Sequence, residues 1–171
     1  MIAIRKIAQT LLAFLGVVMV AWVVEFALTV WAWRSRNPRA LDLIKHFNKY
    51  VLNPVMLRFS GQSGLSAIVH HVGRRSGTPY ATPVIAHQSG QDVIIPLPYG
   101  TDVDWLRNLL AAGQAVVDLE GRSLSVDEAA VVDIDDVIGL LPAPMARTVR
   151  FNGARGAVRL RVSQTVTSVP A

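Results

Sequence analysis

The residues best suited to chemistry lie in a short glycine-rich turn. From Gly73 to Gly77 the chain reads Gly-Arg-Arg-Ser-Gly. Glycine lets a backbone approach a ligand closely, and consecutive backbone N–H groups in such a turn form an anion-binding concavity. Arginine adds a fixed fork of donors for phosphate or carboxylate. The turn therefore indicates an anion-binding site, and a plain hairpin turn with solvated charges is the alternative.

Two strands are predicted to position this turn. Small or β-branched apolar residues dominate the run from Ala67 to Val72 before it. After it, Tyr80, Thr82 and Val84 alternate with smaller residues, as expected for a half-buried strand.

A helix with a possible ligand-facing side follows. Asp102 or Asp104 can cap it, and Gly113 ends it. Trp105 and Asn108 are three residues apart, so they share one side of the helix and can both face a flat ligand. The alternative is that Trp105 belongs to the core and Asn108 is a polar residue near the helix end.

The remaining patterns predict an α+β protein built on a small antiparallel barrel. Residues 87–92 are predicted to be a turn, and acidic residues at 133–136 open a short helix near its favourable dipole end. Further strands are predicted at residues 83–86, 93–97, 115–119, 124–132 and 157–162, and a further helix at 143–151.

The turn, Pro79 and the pair Thr82-Pro83 resemble the signature of the deazaflavin-dependent nitroreductase family. The segment Trp105-Leu106-Arg107-Asn108-Leu109 is similar to that family's tryptophan helix, and the resemblance covers roughly residues 65–119. It implies an FMN-binding split-barrel-like fold, with a small antiparallel split β-barrel. Many members carry Ser-Lys-Gly-Gly where this chain has Pro96 to Gly100. FMN therefore stands beside deazaflavin (coenzyme F-420) as the alternative cofactor.

The resemblance implies an oxidoreductase that transfers a hydride from a reduced deazaflavin to a quinone-like or nitro-aromatic acceptor. It places Tyr80 and Tyr99 at the substrate entrance and assigns no catalytic residue. The rival interpretation is a non-enzymatic membrane module that binds a coenzyme, lipid or nucleic acid. The implied cofactor-binding residues are Gly73, Arg74, Arg75, Ser76, Gly77, Pro79, Thr82, Pro83, Trp105 and Asn108.

An apolar N-terminal run predicts a membrane anchor. From Leu11 to Trp33 only Glu25 and Thr29 are neither apolar nor small. As a helix this run would reach about 34 Å, enough for the hydrocarbon core of a bilayer. A secretory signal is the alternative, although no convincing Ala-x-Ala cleavage site follows. More basic residues follow the run than precede it, which predicts a single-pass protein with a cytoplasmic C-terminal domain.

Three segments are expected: an anchor at 1–36, an amphipathic connecting helix at 37–60 and the barrel at 61–171. The connecting helix either covers the open end of the barrel or lies on anionic lipid. Glu25 near mid-span indicates a function or a partner helix, and a homo-oligomer is one such arrangement. Alternatively, the span shifts to residues 7–24 and leaves Glu25 at the headgroups.

Composition narrows the chemistry further. The 171 residues include no cysteine, which excludes thiol catalysis, and the net charge of +5 favours anionic partners. The four histidines show no His-x-x-x-His spacing, so no metal site is predicted. No Gly-x-Ser-x-Gly elbow or P-loop occurs either. The expected partners are membrane lipid and a lipid-soluble quinone or another small-molecule acceptor, not nucleic acid.

Overall fold

One antiparallel sheet forms the centre of the protein. The computed structural model describes residues 16, 19, 20, 23, 24, 26–35, 37–57, 60 and 66–166. In these residues seven strands pair in the order β2-β1-β5-β6-β7-β4-β3. The result is an antiparallel half-barrel sheet with helices, consistent with a split-barrel fold. The strands are β1 Ala67–Val72, β2 Pro79–Val84, β3 His87–Ser89, β4 Asp92–Pro96, β5 Ala115–Leu119, β6 Arg122–Asp133 and β7 Gly156–Val166.

Short helices precede the sheet and connect its strands. Asn37 caps α2 by accepting hydrogen bonds from two backbone N–H groups. The side chain of Asp133 caps α5 by accepting from the N–H of Asp135, at the helix start that the acidic residues 133–136 predict. A π-helical turn at Asn48–Leu52 follows α2, and a 3-10 turn at Ile138–Leu140 follows α5. The helices are α1, which includes residues 26–35, α2 Pro38–Phe47, α3 Asn53–Met56, α4 Asp104–Ala112, α5 Ile134–Val137 and α6 Ala143–Asn152.

The sheet is buried on both faces where β4 lies. Val93 and Ile95 belong to the main core, which also contains Leu106 and Leu109 of α4. Ile94, between them in sequence, points to the opposite face and joins a second core together with residues of α5 and α6. The main core therefore holds α4 against the face of the sheet to which β1 contributes.

Two local predictions are wrong. Residues 87–92 are not one turn, because His87–Ser89 forms the outer strand β3 and only Gly90 and Gln91 make the turn. An outer strand tolerates polar side chains because it is only partly covered. Neither aspartate caps α4, whose N-cap is Val103 with no side-chain hydrogen bond. Asp102 pairs with Arg107 instead.

The predicted transmembrane helix and single-pass membrane location are contradicted. Among the described residues, no helix is long and apolar enough to cross a bilayer. The end of α1 packs on protein instead: Ala32 is fully buried, and Trp33 meets the ring of Tyr99 edge-on with centroids 5.5 Å apart. Protein covers only this end of the helix, because Phe26, Leu28 and Trp31 are each more than half exposed. Glu25, with its predicted partner helix, and residues 1–15 lie outside the described residues.

Candidate functional site

The turn between β1 and β2 is closed by its own hydrogen bonds. The N–H of Gly73 donates to the carbonyl of Thr78, and the N–H of Gly77 donates to the carbonyl of Gly73, both at 2.8 Å. The N–H of Thr78 donates to the hydroxyl oxygen of Ser76 at 3.3 Å. Gly77 has φ of +67°, a left-handed conformation that glycine adopts without steric cost. The turn therefore has a defined backbone shape.

Gly73 is needed for a different reason, which is the lack of space for a side chain. A Cβ at this position would lie 2.6 Å from the hydroxyl oxygen of Ser76 and 2.9 Å from the ring of Tyr80. The turn thus packs directly against the first residues of β2.

Two adjacent backbone donors of the turn remain available for a ligand. Within the described part of the chain, the N–H groups of Arg75 and Ser76 make no hydrogen bond. The guanidinium of Arg75 is exposed and likewise has no partner there. The hydroxyl of Ser76 accepts from Thr78 and can still donate. Together these donors form what we call the anion cradle, made by residues Arg75 and Ser76.

Arg74 has a different role because it ties the turn to α4. Its backbone N–H and its Nη1 donate to Oδ1 of Asn108 at 3.1 and 2.8 Å. Its guanidinium also lies 3.4 Å from Oδ1 of Asp104, whose other oxygen is 3.7 Å from the Nζ of Lys49. The charge of Arg74 is therefore partly balanced within the protein, whereas that of Arg75 is not.

A buried hydrogen-bond chain continues from Asn108 to β2. The amide Nδ2 of Asn108 lies 3.2 Å from Nδ1 of His71, and Nε2 of His71 lies 3.0 Å from the hydroxyl oxygen of Thr82. Asn108 and His71 are only 5% and 7% exposed. The ring of Tyr80 stacks on His71 with centroids 5.7 Å apart. Asn108 thus connects the turn, α4 and both strands.

The two adjacent histidines have separate environments, because successive side chains of a strand point to opposite faces. Burial lowers the pKa of His71, the nearby His70 lowers it further, and Asp104 partly opposes these effects. His70 points to the other face of β1, where its Nε2 lies 2.6 Å from a carboxylate oxygen of Asp118. His71 is therefore neutral at pH 7.

The other predicted cofactor residues lie on β2 and α4. Pro79 is exposed, and Thr82 and Pro83 are half-buried on this outer strand of the sheet. Trp105 is partly buried and packs against the main core. Thr82 therefore joins the hydrogen-bond chain, and Trp105 combines packing against the core with a partly exposed surface.

The two tyrosines predicted at a substrate entrance have different neighbours. Tyr80 is 47% exposed beside the turn. Tyr99 faces the helices that precede the sheet, where its ring contacts Trp33 and its hydroxyl accepts from Nδ2 of Asn48 at 2.6 Å. The turn itself lies on an open surface, and two depressions of about 660 and 430 Å³ are lined by other residues.

Sequence reasoning missed the central part played by His71. No link between His71 and Asn108 or Thr82 was predicted. The available signal was the alternation in β1, where Ala67, Val69 and His71 are all buried on one face. A polar residue in that series needs a buried hydrogen-bond partner.

Comparisons with known proteins give structural similarity at low identity. No protein-family model and no curated protein matches the chain. Atu2129, a protein of unknown function from Agrobacterium tumefaciens, is 16% identical with a TM-score of 0.46, over 62% of this chain and 52% of that one. This chain thus spans about half of that relative's length. An F420 reductase is 16% identical with a TM-score of 0.41, over 61% and 91% of the two chains. The heme storage protein HutZ from Vibrio cholerae is 15% identical with a TM-score of 0.46, over 67% and 92%.

Proposed function

We propose that this protein is an oxidoreductase that binds a reduced deazaflavin (coenzyme F-420), or FMN as the alternative, at the turn between β1 and β2. The observation that carries the proposal is the anion cradle. Two adjacent backbone N–H groups and a guanidinium, all without a partner among the described residues, lie together in a turn whose shape depends on Gly73 and Gly77. The sequence resemblance to deazaflavin-dependent nitroreductases covers the same residues.

The residues present fit a cofactor with a phosphate-bearing tail. Phosphate oxygens accept hydrogen bonds from consecutive backbone N–H groups and from arginine, and the cradle offers both. The hydrogen bonds of Arg74 to Asn108 hold the turn against α4 and leave Arg75 and Ser76 to contact the cofactor. Arg75 would supply the main charge, and Ser76 would supply a backbone N–H and a hydroxyl.

A bound reduced deazaflavin would supply the hydride, so the protein needs no nucleophile of its own. The chain's residues bind and orient the cofactor: the cradle would hold the tail, and Thr82 on β2 would contact the ring. Tyr80 presents an exposed aromatic face beside the turn, which suits a flat acceptor. A quinone-like or nitro-aromatic acceptor is therefore the proposed substrate class.

Binding measurements on single arginine variants test the cofactor proposal. The full-length parent, Arg75→Ala and the control Arg150→Ala are titrated with reduced deazaflavin and separately with FMN, and binding is followed by the quenching of the protein's tryptophan fluorescence. Arg150 is an exposed arginine in the last turn of α6, so its loss changes the net charge equally. We expect Arg75→Ala to weaken binding about tenfold or more, because a hydrogen bond to a charged group contributes roughly 1.5–3 kcal/mol.

Thermal melts of the same variants separate binding from folding. Both substitutions are at exposed sites, so the free energy of unfolding should change by no more than about 0.5 kcal/mol. Equal affinity of a folded Arg75→Ala variant and the parent would refute the cradle assignment. Hydride transfer is then followed anaerobically as the return of oxidised deazaflavin absorbance after addition of a quinone or a nitro-aromatic compound. Tight binding without transfer to any acceptor would favour a non-enzymatic coenzyme-binding module.

A further inference from the structure

The hydrogen bonds around Asn108 determine which end of its amide is which. One terminal atom of the amide receives two N–H donors from Arg74, at 3.1 and 2.8 Å, so it must be the oxygen. The other atom is therefore the NH₂ group, and it faces Nδ1 of His71 at 3.2 Å. An NH₂ group can only donate, so Nδ1 of His71 must accept.

This acceptor role fixes the tautomer of His71. A neutral imidazole with a lone pair on Nδ1 carries its hydrogen on Nε2. That N–H points at the hydroxyl oxygen of Thr82, 3.0 Å away, and donates to it. The hydroxyl oxygen of Thr82 therefore accepts a hydrogen bond from His71. The hydroxyl group can then donate its own hydrogen to a different acceptor. Among the residues that the structure describes, none accepts that hydrogen.

We infer that His71 is a positioning residue that sets the hydroxyl of Thr82 as a hydrogen-bond donor toward a bound cofactor. The inference rests on the proposed function, because it assumes that the cofactor lies along β2 after the anion cradle. The matching ligand atom is a hydrogen-bond acceptor, either a ring carbonyl oxygen or a deprotonated ring nitrogen. The site thereby selects for a ring that presents an acceptor to Thr82.

The same series of hydrogen bonds connects the hydroxyl of Thr82, through His71 and Asn108, to Arg74 in the turn. A proton added to Nδ1 of His71 would face the NH₂ group of Asn108, and two donors cannot share a hydrogen bond. If the amide turned to present its oxygen to His71, its NH₂ would face the two donors of Arg74. Protonation of His71 is therefore incompatible with the hydrogen bonds that hold Arg74 in place.

The surroundings of His71 keep the ring neutral. The ring contacts Asn108 of α4 and both Thr82 and Tyr80 of β2, and the charged groups that act on it are His70 of β1 and Asp104 of α4. Burial and the nearby His70 lower the pKa of His71, against an opposing effect of Asp104. The donor arrangement is thus complete at neutral pH and is lost on acidification.

The tautomer can be measured without any ligand. Two-dimensional ¹⁵N–¹H NMR spectra that correlate ring nitrogens with ring protons distinguish the two neutral tautomers, and His71→Gln identifies the resonances of His71. We expect hydrogen on Nε2 at pH 7.5. Hydrogen on Nδ1, or a charged ring at that pH, would overturn the inference whatever cofactor the protein binds.

The donor role is tested with a matched pair of variants at residue 82. Thr82→Val keeps the shape of the side chain and removes the hydroxyl, whereas Thr82→Ser keeps the hydroxyl. In fluorescence titrations with reduced deazaflavin or FMN at pH 7.5, Thr82→Val should weaken binding about three- to tenfold. Thr82→Ser should bind within about twofold of the parent, which a merely structural role of the methyl group would not predict.

The affinity of the parent protein and of His71→Gln for the cofactor is also measured as a function of pH. Parent affinity should fall as the pH is lowered from 7.5 through the lowered pKa of His71, and this fall should be smaller in His71→Gln, which has no titrating ring. Equal affinities of Thr82→Val, Thr82→Ser and the parent, with all three folded in thermal melts, would overturn the inference. Failure of the parent to bind either cofactor would instead refute the proposed function, and the NMR result would be unaffected.

Discussion

Asn108 is the residue whose replacement should disturb the site and the fold together. Asn108→Leu keeps the approximate size of the side chain and removes three hydrogen bonds. Two of them anchor Arg74, and the third satisfies Nδ1 of His71. The substitution therefore removes the hydrogen bonds between the turn and Asn108 without creating a large cavity, and the ion pair of Arg74 with Asp104 stays in place.

The expected loss can be estimated from the exposure of each partner. Nδ1 of His71 is buried, and a buried polar atom without a partner costs about 1–3 kcal/mol. The donors of Arg74 lie nearer the surface and recover hydrogen bonds to water, so they add about 0.5–1 kcal/mol. The apolar side chain of leucine offsets part of this cost. We expect the free energy of unfolding to fall by about 2–3 kcal/mol, or the melting temperature by about 4–12 °C for a chain of this size.

Urea denaturation of the full-length protein measures this loss. The control is Asn152→Leu, because Asn152 near the end of α6 makes no side-chain hydrogen bond within the described residues. A double-mutant cycle with His71→Phe should show a coupling energy of about 1 kcal/mol, since residues in one hydrogen-bond network are not additive. A loss below about 0.5 kcal/mol for Asn108→Leu, with additive effects in the cycle, would refute the network.

Two further predictions concern pH and a tight turn. His71 has a lowered pKa in the folded state, so the unfolded state binds its proton first as the pH falls below about 6.5, and stability decreases there. Urea titrations at pH 7.5, 6.5 and 5.5 should show this decrease, and an undiminished decrease in His71→Gln would assign it to another group. Glu120 and Gly121 have φ of +54° and +71° in the two-residue turn between β5 and β6. Asparagine adopts a positive φ more readily than glutamate, so Glu120→Asn should stabilise the protein by about 0.5–1 kcal/mol in the same assay. A decrease in stability would show that the exposed ion pair between Glu120 and Arg122 contributes more than such pairs usually do.

The sheet was largely predictable from the sequence because its strands alternate in burial. In β1 the buried positions are Ala67, Val69 and His71, and the exposed His70 lies between two of them. Such alternation is a local property, so it survives in the sequence. The strand β3 was missed because His87, Gln88 and Ser89 carry no apolar signal, and their pairing with β4 depends on the fold.

The ends of α4 show the same division between local and tertiary causes. Gly113 ends the helix in a left-handed conformation, as its position predicts. Asp104 does not cap the start, because its carboxylate lies beside Arg74 and Lys49 instead. Those partners are distant in sequence, and only the folded chain brings them together.

The two arginines of the turn show most clearly what the sequence could not reveal. Arg74 and Arg75 are adjacent and chemically identical, and the sequence assigned both to the anion. In the structure Arg74 reaches Asn108 and Asp104 across the turn, whereas Arg75 faces solvent. Replacing both at once would therefore mix a loss of anchoring with a loss of available charge. Arg75→Ala removes the available charge and leaves the hydrogen bonds of Arg74 intact, whereas Asn108→Leu breaks those hydrogen bonds and leaves the charge of Arg75.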